Sequence, residues 1–86
     1  MNTAVNEPVS VLMVFDQLKK SVMPKKIKWR GREYLITKLG YHHKIKVGNT
    51  LMHIFSVCTD SVAFKLQLNT DNLHWVLEEV YDSSAA

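Results

Sequence analysis

Cysteine, proline and glycine are all scarce in this chain. Among 86 residues there are one Cys, two Pro and three Gly. A single thiol, Cys58, excludes an internal disulfide and fits a reducing compartment, so a cytoplasmic protein is expected. The glycines (Gly31, Gly40, Gly48) are too dispersed to form a phosphate-cradling loop. Long apolar runs are also missing. The longest uncharged ones, residues 9–15 and 51–58, fall far short of the ~20 residues of a membrane helix. No basic segment precedes an apolar run at the N-terminus, so no secretory signal and no membrane partner are expected.

Acidic residues are nearly absent from one stretch. Between Lys19 and Lys46 stand ten of the eleven cations against Glu33 alone, a local balance of +9 within a net charge of +3. A basic block of this density in a folded chain is what a phosphate-binding surface requires. Its bland counterpart is a set of solvated strand positions, since exposed strands and sheet edges carry lysine to discourage aggregation.

What remains is a globular composition, 47% hydrophobic and 22% charged, sufficient for one domain with one modest core. Residues 1–6 read as a frayed terminus. Asn6, Glu7 and Pro8 then resemble a helix start, and Val11, Val14, Phe15, Leu18 and Val22 follow at helical spacing until Pro24. These features predict a helix over residues 8–22. Beyond Pro24 the period becomes two. Gly31-Arg32 suits a two-residue hairpin turn pairing Trp29 with Tyr34 and Ile27 with Ile36, which puts Lys28, Arg30 and Glu33 on the other face. Gly40 suits a bulge or bend in a long strand, and Gly48-Asn49 a turn. Asp60-Ser61 would set Val57 opposite Phe64 and Phe55 opposite Leu66. A four-residue loop at 69–72 would place Trp75 opposite Leu66. The expected fold is therefore α+β: an N-terminal helix followed by a five-stranded antiparallel meander over residues 25–81, strongly twisted or a partly open barrel, with a polar tail at 82–86.

Catalytic and metal chemistry find little support. His42 and His43 are neighbours, so on a strand they face opposite ways. His53 and Cys58 are split in the same manner, and no recognised ligand spacing occurs. Cys58 could pair with His53 or His74 as a nucleophile only by chance convergence, and a half-buried structural thiol is the simpler role. Glu78 and Glu79 diverge as strand neighbours. Neither an enzyme nor a cofactor is expected.

The run IKWRGREYLI, then FSV, FKLQLN and LHWVLEEVYD, carries Trp29, Gly31, Tyr34, Ile36, Trp75, Leu77 and Asp82 in a W-x-G-x-x-Y-x-I … W-x-L pattern. It resembles small bacterial β-rich domains of unknown function, some of which accompany DNA-damage polymerase-like proteins. The resemblance covers about two thirds of the chain, leaving out the predicted helix and the His42-His43 segment. It implies the meander and a nucleic-acid context.

The leading expectation is a basic binding module with weak, non-specific affinity for nucleic acid through Lys25, Lys26, Lys28, Arg30, Arg32, Lys44 and Lys46. Tyr41 is the one aromatic left free for stacking. The alternative is a homodimeric interaction module built on Met52, Ile54, Val76 and Val80, an apolar set left on the non-core sheet face.

Overall fold

Val9, Val11, Met13 and Phe15 alternate with Ser10, Leu12 and Val14, and the chain obeys this two-residue period rather than the helical one that overlaps it. The computed structural model describes residues 2–81, and these contain seven strands and no helix. The strands are β1 (Asn2–Asp16), β2 (Ser21–Trp29), β3 (Arg32–Leu35), β4 (Lys38–Val47), β5 (Thr50–Cys58), β6 (Ala63–Asn69) and β7 (Trp75–Tyr81). The expected helix at 8–22 and the α+β class are therefore incorrect. Those residues form most of the β1–β2 hairpin, and the fold is all-β. Residues 2–6 are not frayed but belong to β1, and residues 2–4 pair with the end of β7. The expected tail at 82–86 lies outside the described residues.

Two causes favour the strand. The segment is rich in β-branched residues, which lose side-chain freedom in a helix and suit a pleated surface. It also has a partner on each side, β2 and β7, which a lone helix lacks. Asn6-Glu7-Pro8, read as a helix start, instead follows a bulge at Val5–Asn6, with Asn6 at φ 53° and Glu7 and Pro8 paired with Leu77 and Val76 of β7. The hairpin turns over residues 17–20. Asp16 Oδ1 accepts the Leu18 and Lys19 N–H groups at 2.9 and 3.2 Å, and Lys20 takes a left-handed φ of 52°.

The strands are ordered β3-β2-β1-β7-β6-β5-β4, every pair antiparallel. The sheet curls until its two ends meet at the β3–β4 connection. There the Ile36 N–H donates to the Lys25 carbonyl at 3.0 Å, and the Thr37 N–H donates to the Cys58 carbonyl at 2.9 Å. The chain thus leaves β2 and joins β5 within two residues. β3 and β4 act as one long strand that changes partner, with Gly40 at the register shift that bends it. A Cβ at Gly40 would sit 3.1 Å from the Ser56 carbonyl oxygen, so glycine permits this close approach.

Inside the curl Ile27, Phe55, Val57, Phe64, Leu66 and Leu77 are fully buried. The Phe64 ring meets Tyr34 and Trp29 edge-on at 5.1 and 6.1 Å, joining the β2–β3 side to the β5–β7 side. The expected β5–β6 register is observed, with Val57 opposite Phe64 and Phe55 opposite Leu66. Two other turns slip by one residue. The β2–β3 turn is Arg30-Gly31, both at positive φ (53° and 78°), so Ile27 rather than Trp29 faces Tyr34. Trp75 faces Leu68 rather than Leu66. Both slips preserve the faces, because moving a turn by one residue shifts the pairing by two, an even number that leaves each side chain on its own side of the sheet.

Phe64→Ala should cost about 3–5 kcal/mol, the loss expected for emptying a large aromatic from a core. Lys28→Ala should cost less than ~0.5 kcal/mol. Urea melts of the two variants test the face assignment, which is wrong if their order reverses.

Candidate nucleic-acid interface

Apart from Lys19 and Lys20 on the β1–β2 turn, the cations of the basic block fall into two groups. Those of the β2–β3 hairpin are largely engaged within the chain. Arg30 Nη2 lies 2.6 Å from Glu7 Oε2, and the Trp29 indole N–H donates to Glu7 Oε1 at 3.0 Å. The Arg30 guanidinium also stands 4.7 Å over the Trp29 ring. Arg30 holds a positive φ that a non-glycine residue adopts at a cost, and this cluster fixes it there. Glu7 titrates below the ordinary carboxylate range, mainly because it accepts the Arg30 hydrogen bond and then the Trp29 one. Lys26 lies 3.4 Å from Glu33, Lys28 faces Glu33 across the strands, and Arg32 stands over Tyr34 at 5.2 Å. Of the seven expected phosphate contacts, Arg30 and Lys26 are thus ion-paired and Arg32 lies over the Tyr34 ring, whereas Lys28 is exposed and has no ion-pair partner among the described residues.

The second group lies along the opening of the curl. β4 pairs only with β5, and residues 21–24 of β2 pair only with β1, so two free strand edges diverge from Ile36–Thr37. Lys25 is exposed on one margin, and Lys38, Lys44 and Lys46 are exposed on the other. None of these four has an ion-pair partner among the described residues. Lys38 was not among the expected contacts, although it lies on the same strand as Lys44 and Lys46.

Aromatic rings stack on both faces of β4. On the outer face Tyr41, 53% exposed, stacks on the exposed His43 with centroids 5.4 Å apart and planes 15° apart. On the inner face His42 stacks on Phe55 at 4.3 Å, and its Nε2 lies 2.6 Å from His53 Nδ1. His42 and His43 do face opposite ways, as strand alternation requires. The partner that sequence reasoning missed for His42 is His53, which the β4–β5 hairpin places diagonally across from it. Only one of the two facing nitrogens can carry a hydrogen, so this geometry tolerates one extra proton and breaks with two. Both imidazoles titrate below their ordinary value. Burial is the main cause for each, reinforced for His42 by His53 and for both by Lys44, which pairs directly across from His53.

The apolar set proposed for a second subunit is mostly covered by the chain itself. Met52 and Ile54 are 8% and 3% exposed, Val80 packs against the core, and Val76 is half-buried. Among the described residues no group of three or more His, Cys, Asp or Glu is placed to hold a metal ion, and no helix is long and apolar enough to cross a membrane. No protein-family model, curated protein or solved structure matches this chain.

Because both imidazoles titrate lower when folded than when unfolded, the unfolded chain binds more protons between the two values. Their contribution to stability is full above the unfolded value of 6.5 and is lost as pH falls below it. Urea melts at about pH 8 and about pH 5.5 should show lower stability at acid pH, and His53→Phe should reduce the difference. An unchanged difference in His53→Phe would assign the acid sensitivity elsewhere.

Proposed function

We propose that this protein is a non-catalytic binding module that takes single-stranded nucleic acid along β4. The observation that carries the reading is the exposed Tyr41–His43 stack on the outer face of β4, an edge strand whose exposed lysines, Lys38 on that face and Lys44 and Lys46 on the His42 side, have no ion-pair partner among the described residues. Single strands are held by this pairing of parts: a cationic track for phosphates and an aromatic face for unstacked bases. Lys25, on the facing margin, extends the track. The charge segregation of the sequence and its resemblance to domains that accompany polymerase-like proteins support the same reading. So does the cytoplasmic setting suggested by the single thiol. Lys26 and Arg30 contribute to the fold in this scheme and not to the ligand.

The track is short and the stack is single, so affinity is weak and independent of sequence. Fluorescence anisotropy with a short labelled DNA or RNA strand, at about 50 and about 200 mM salt, tests it. Affinity should fall steeply with salt, and the triple variant of Lys38, Lys44 and Lys46 to Ala should flatten the salt slope by about 2, at ~0.7 per lost phosphate contact on single strands. Tyr41→Ala should cost about 1–3 kcal/mol of binding, whereas Lys26→Ala should bind as wild type. Absence of binding at low salt, or binding insensitive to the triple variant, rejects this reading.

A further inference from the structure

The β1–β2 hairpin outruns the strands on both sides of it. β7 pairs with β1 only as far as Val9, opposite Trp75, and the chain after β3 makes its last bond to β2 at the Lys25 carbonyl. Leu73 and His74, which precede Trp75, border one hollow with Ser10 and Val11 and stand level with them. Residues 12–16 of β1 therefore have β2 on one side and, among the described residues, no backbone partner on the other. A two-stranded ribbon is marginal in water by itself. One face of this ribbon is covered, since Val11, Met13 and Val22 pack against the core. Its free edge and tip are not covered. Leu12, Val14 and Phe15 are exposed there, and Leu18 on the turn is 94% exposed.

The two kinds of free edge in this sheet are unlike. The edge of β4 carries Lys38, Lys44 and Lys46, whereas residues 10–15 of β1, Ser-Val-Leu-Met-Val-Phe, contain no charge, no proline and no glycine. Charge and proline are the usual means of keeping an edge single, and an edge without them is a template for another strand. The surroundings fix what can be added. A strand lying antiparallel beside residues 12–16, in the lane that β7 vacates, meets the β6–β7 loop head on. It has about five residues, at ~3.4 Å each, before it must turn. β1 itself has this shape: five unpaired-edge residues, 12–16, followed at once by the tight turn at 17–20.

We propose that the strand added to this edge is β1 of a second copy, so that residues 12–16 of the two copies pair antiparallel about a twofold axis at Val14. Val14 then faces Val14 of the second copy, Leu12 faces the second copy's Asp16, and Met13 faces its Phe15. In this register the β1–β2 turn of each copy abuts the β6–β7 loop of the other, and the two loops are complementary. Leu18 meets Leu73 at the hollow lined by Val9, Val11 and Trp75, and Lys19 and Lys20 meet Asp71. Leu73 is exposed with a left-handed φ of 61°, a conformation that costs a side-chain-bearing residue free energy. The second copy's Leu18 gives that leucine something to cover. A contact of this kind uses the same surface on both copies and closes at two, which leaves the lysine-bearing edge of each β4 free.

Sedimentation velocity of the full chain tests the proposal. Wild type should be a dimer at about 100 µM and dissociate on dilution. Val14→Lys sets two lysines face to face at the axis and should weaken the dimer at least about tenfold, because like charges in contact repel. The double variant Lys19→Glu, Lys20→Glu should also weaken it, and adding Asp71→Lys to that variant should restore it, a rescue that damage to the fold cannot produce. Val14, Lys19, Lys20 and Asp71 are all exposed, so circular dichroism of these variants should match wild type. On oxidation in a Cys58→Ser background, Val14→Cys should cross-link two copies far faster than Leu35→Cys, which is exposed but away from the axis. The triple variant of Lys38, Lys44 and Lys46 to Ala should stay dimeric while losing the oligonucleotide, which separates this contact from the β4 reading. Wild type that is monomeric at about 100 µM overturns the proposal. So does a dimer that Val14→Lys leaves intact, or one that the triple lysine variant dissociates.

Discussion

The edge-on contact of Phe64 with Tyr34 and Trp29 holds the two halves of the curled sheet together. A sheet this small has no second layer to cover its apolar face, so it must bury that face against itself. Phe64 sits on β6, far around the sheet from β2 and β3, and its contact with their aromatics is the point where the curvature becomes a core. The change of partner at Ile36–Thr37 follows from the same geometry. Once Tyr34 is anchored on Phe64, the chain beyond it is already beside β5, and two residues suffice to join it. The opening beside β4, and the exposure of that strand's lysines and Tyr41, result from a sheet that closes at one corner only.

How much of this was legible in the sequence depends on how far apart the deciding residues lie. The β5–β6 hairpin was readable because its partners surround one local turn and alternate without interruption. The faces of the β2–β3 hairpin were readable for the same reason. Its turn was not, since Gly31 fits either central position, and the choice that places Arg30 at positive φ depends on Glu7, a residue from another strand. The first segment was misread because Val11, Val14, Phe15, Leu18 and Val22 satisfy a helical spacing while Val9, Val11, Met13 and Phe15 satisfy a strand spacing. What decides between them is pairing with β7 at the opposite end of the chain, which no local window contains.

The candidate site shows the same division. Strand alternation sent His42 and His43 to opposite faces, and the free position of Tyr41 was foreseen. The ion pairs that withdraw Arg30 and Lys26 were not, because Glu7 was assigned to a helix and Lys26 was credited to the ligand. Lys38 was passed over because the segment around Gly40 was hard to divide. The His42–His53 contact needed a register across the β4–β5 turn that the glycine bulge conceals. The exposure of Phe15 and Leu18 was hidden by the helix assignment itself, which gave both to a buried stripe. In the hairpin the same two residues stand in water.

The lysines of β4 can be asked whether they serve a ligand or only protect an edge. A ten-residue strand with one free side invites pairing with another chain, and Lys38, Lys44 and Lys46 discourage it by repulsion between identical edges. That task requires charge but no aromatic. An edge designed only to remain solvated would not place Tyr41 and His43 in a stacked pair on its outer face, since exposed rings add the adhesion that the lysines remove. Repelling a second copy and attracting a polyanion require the same sign of charge, so one set of lysines can satisfy both, and the stacked rings are the part that only the ligand reading uses.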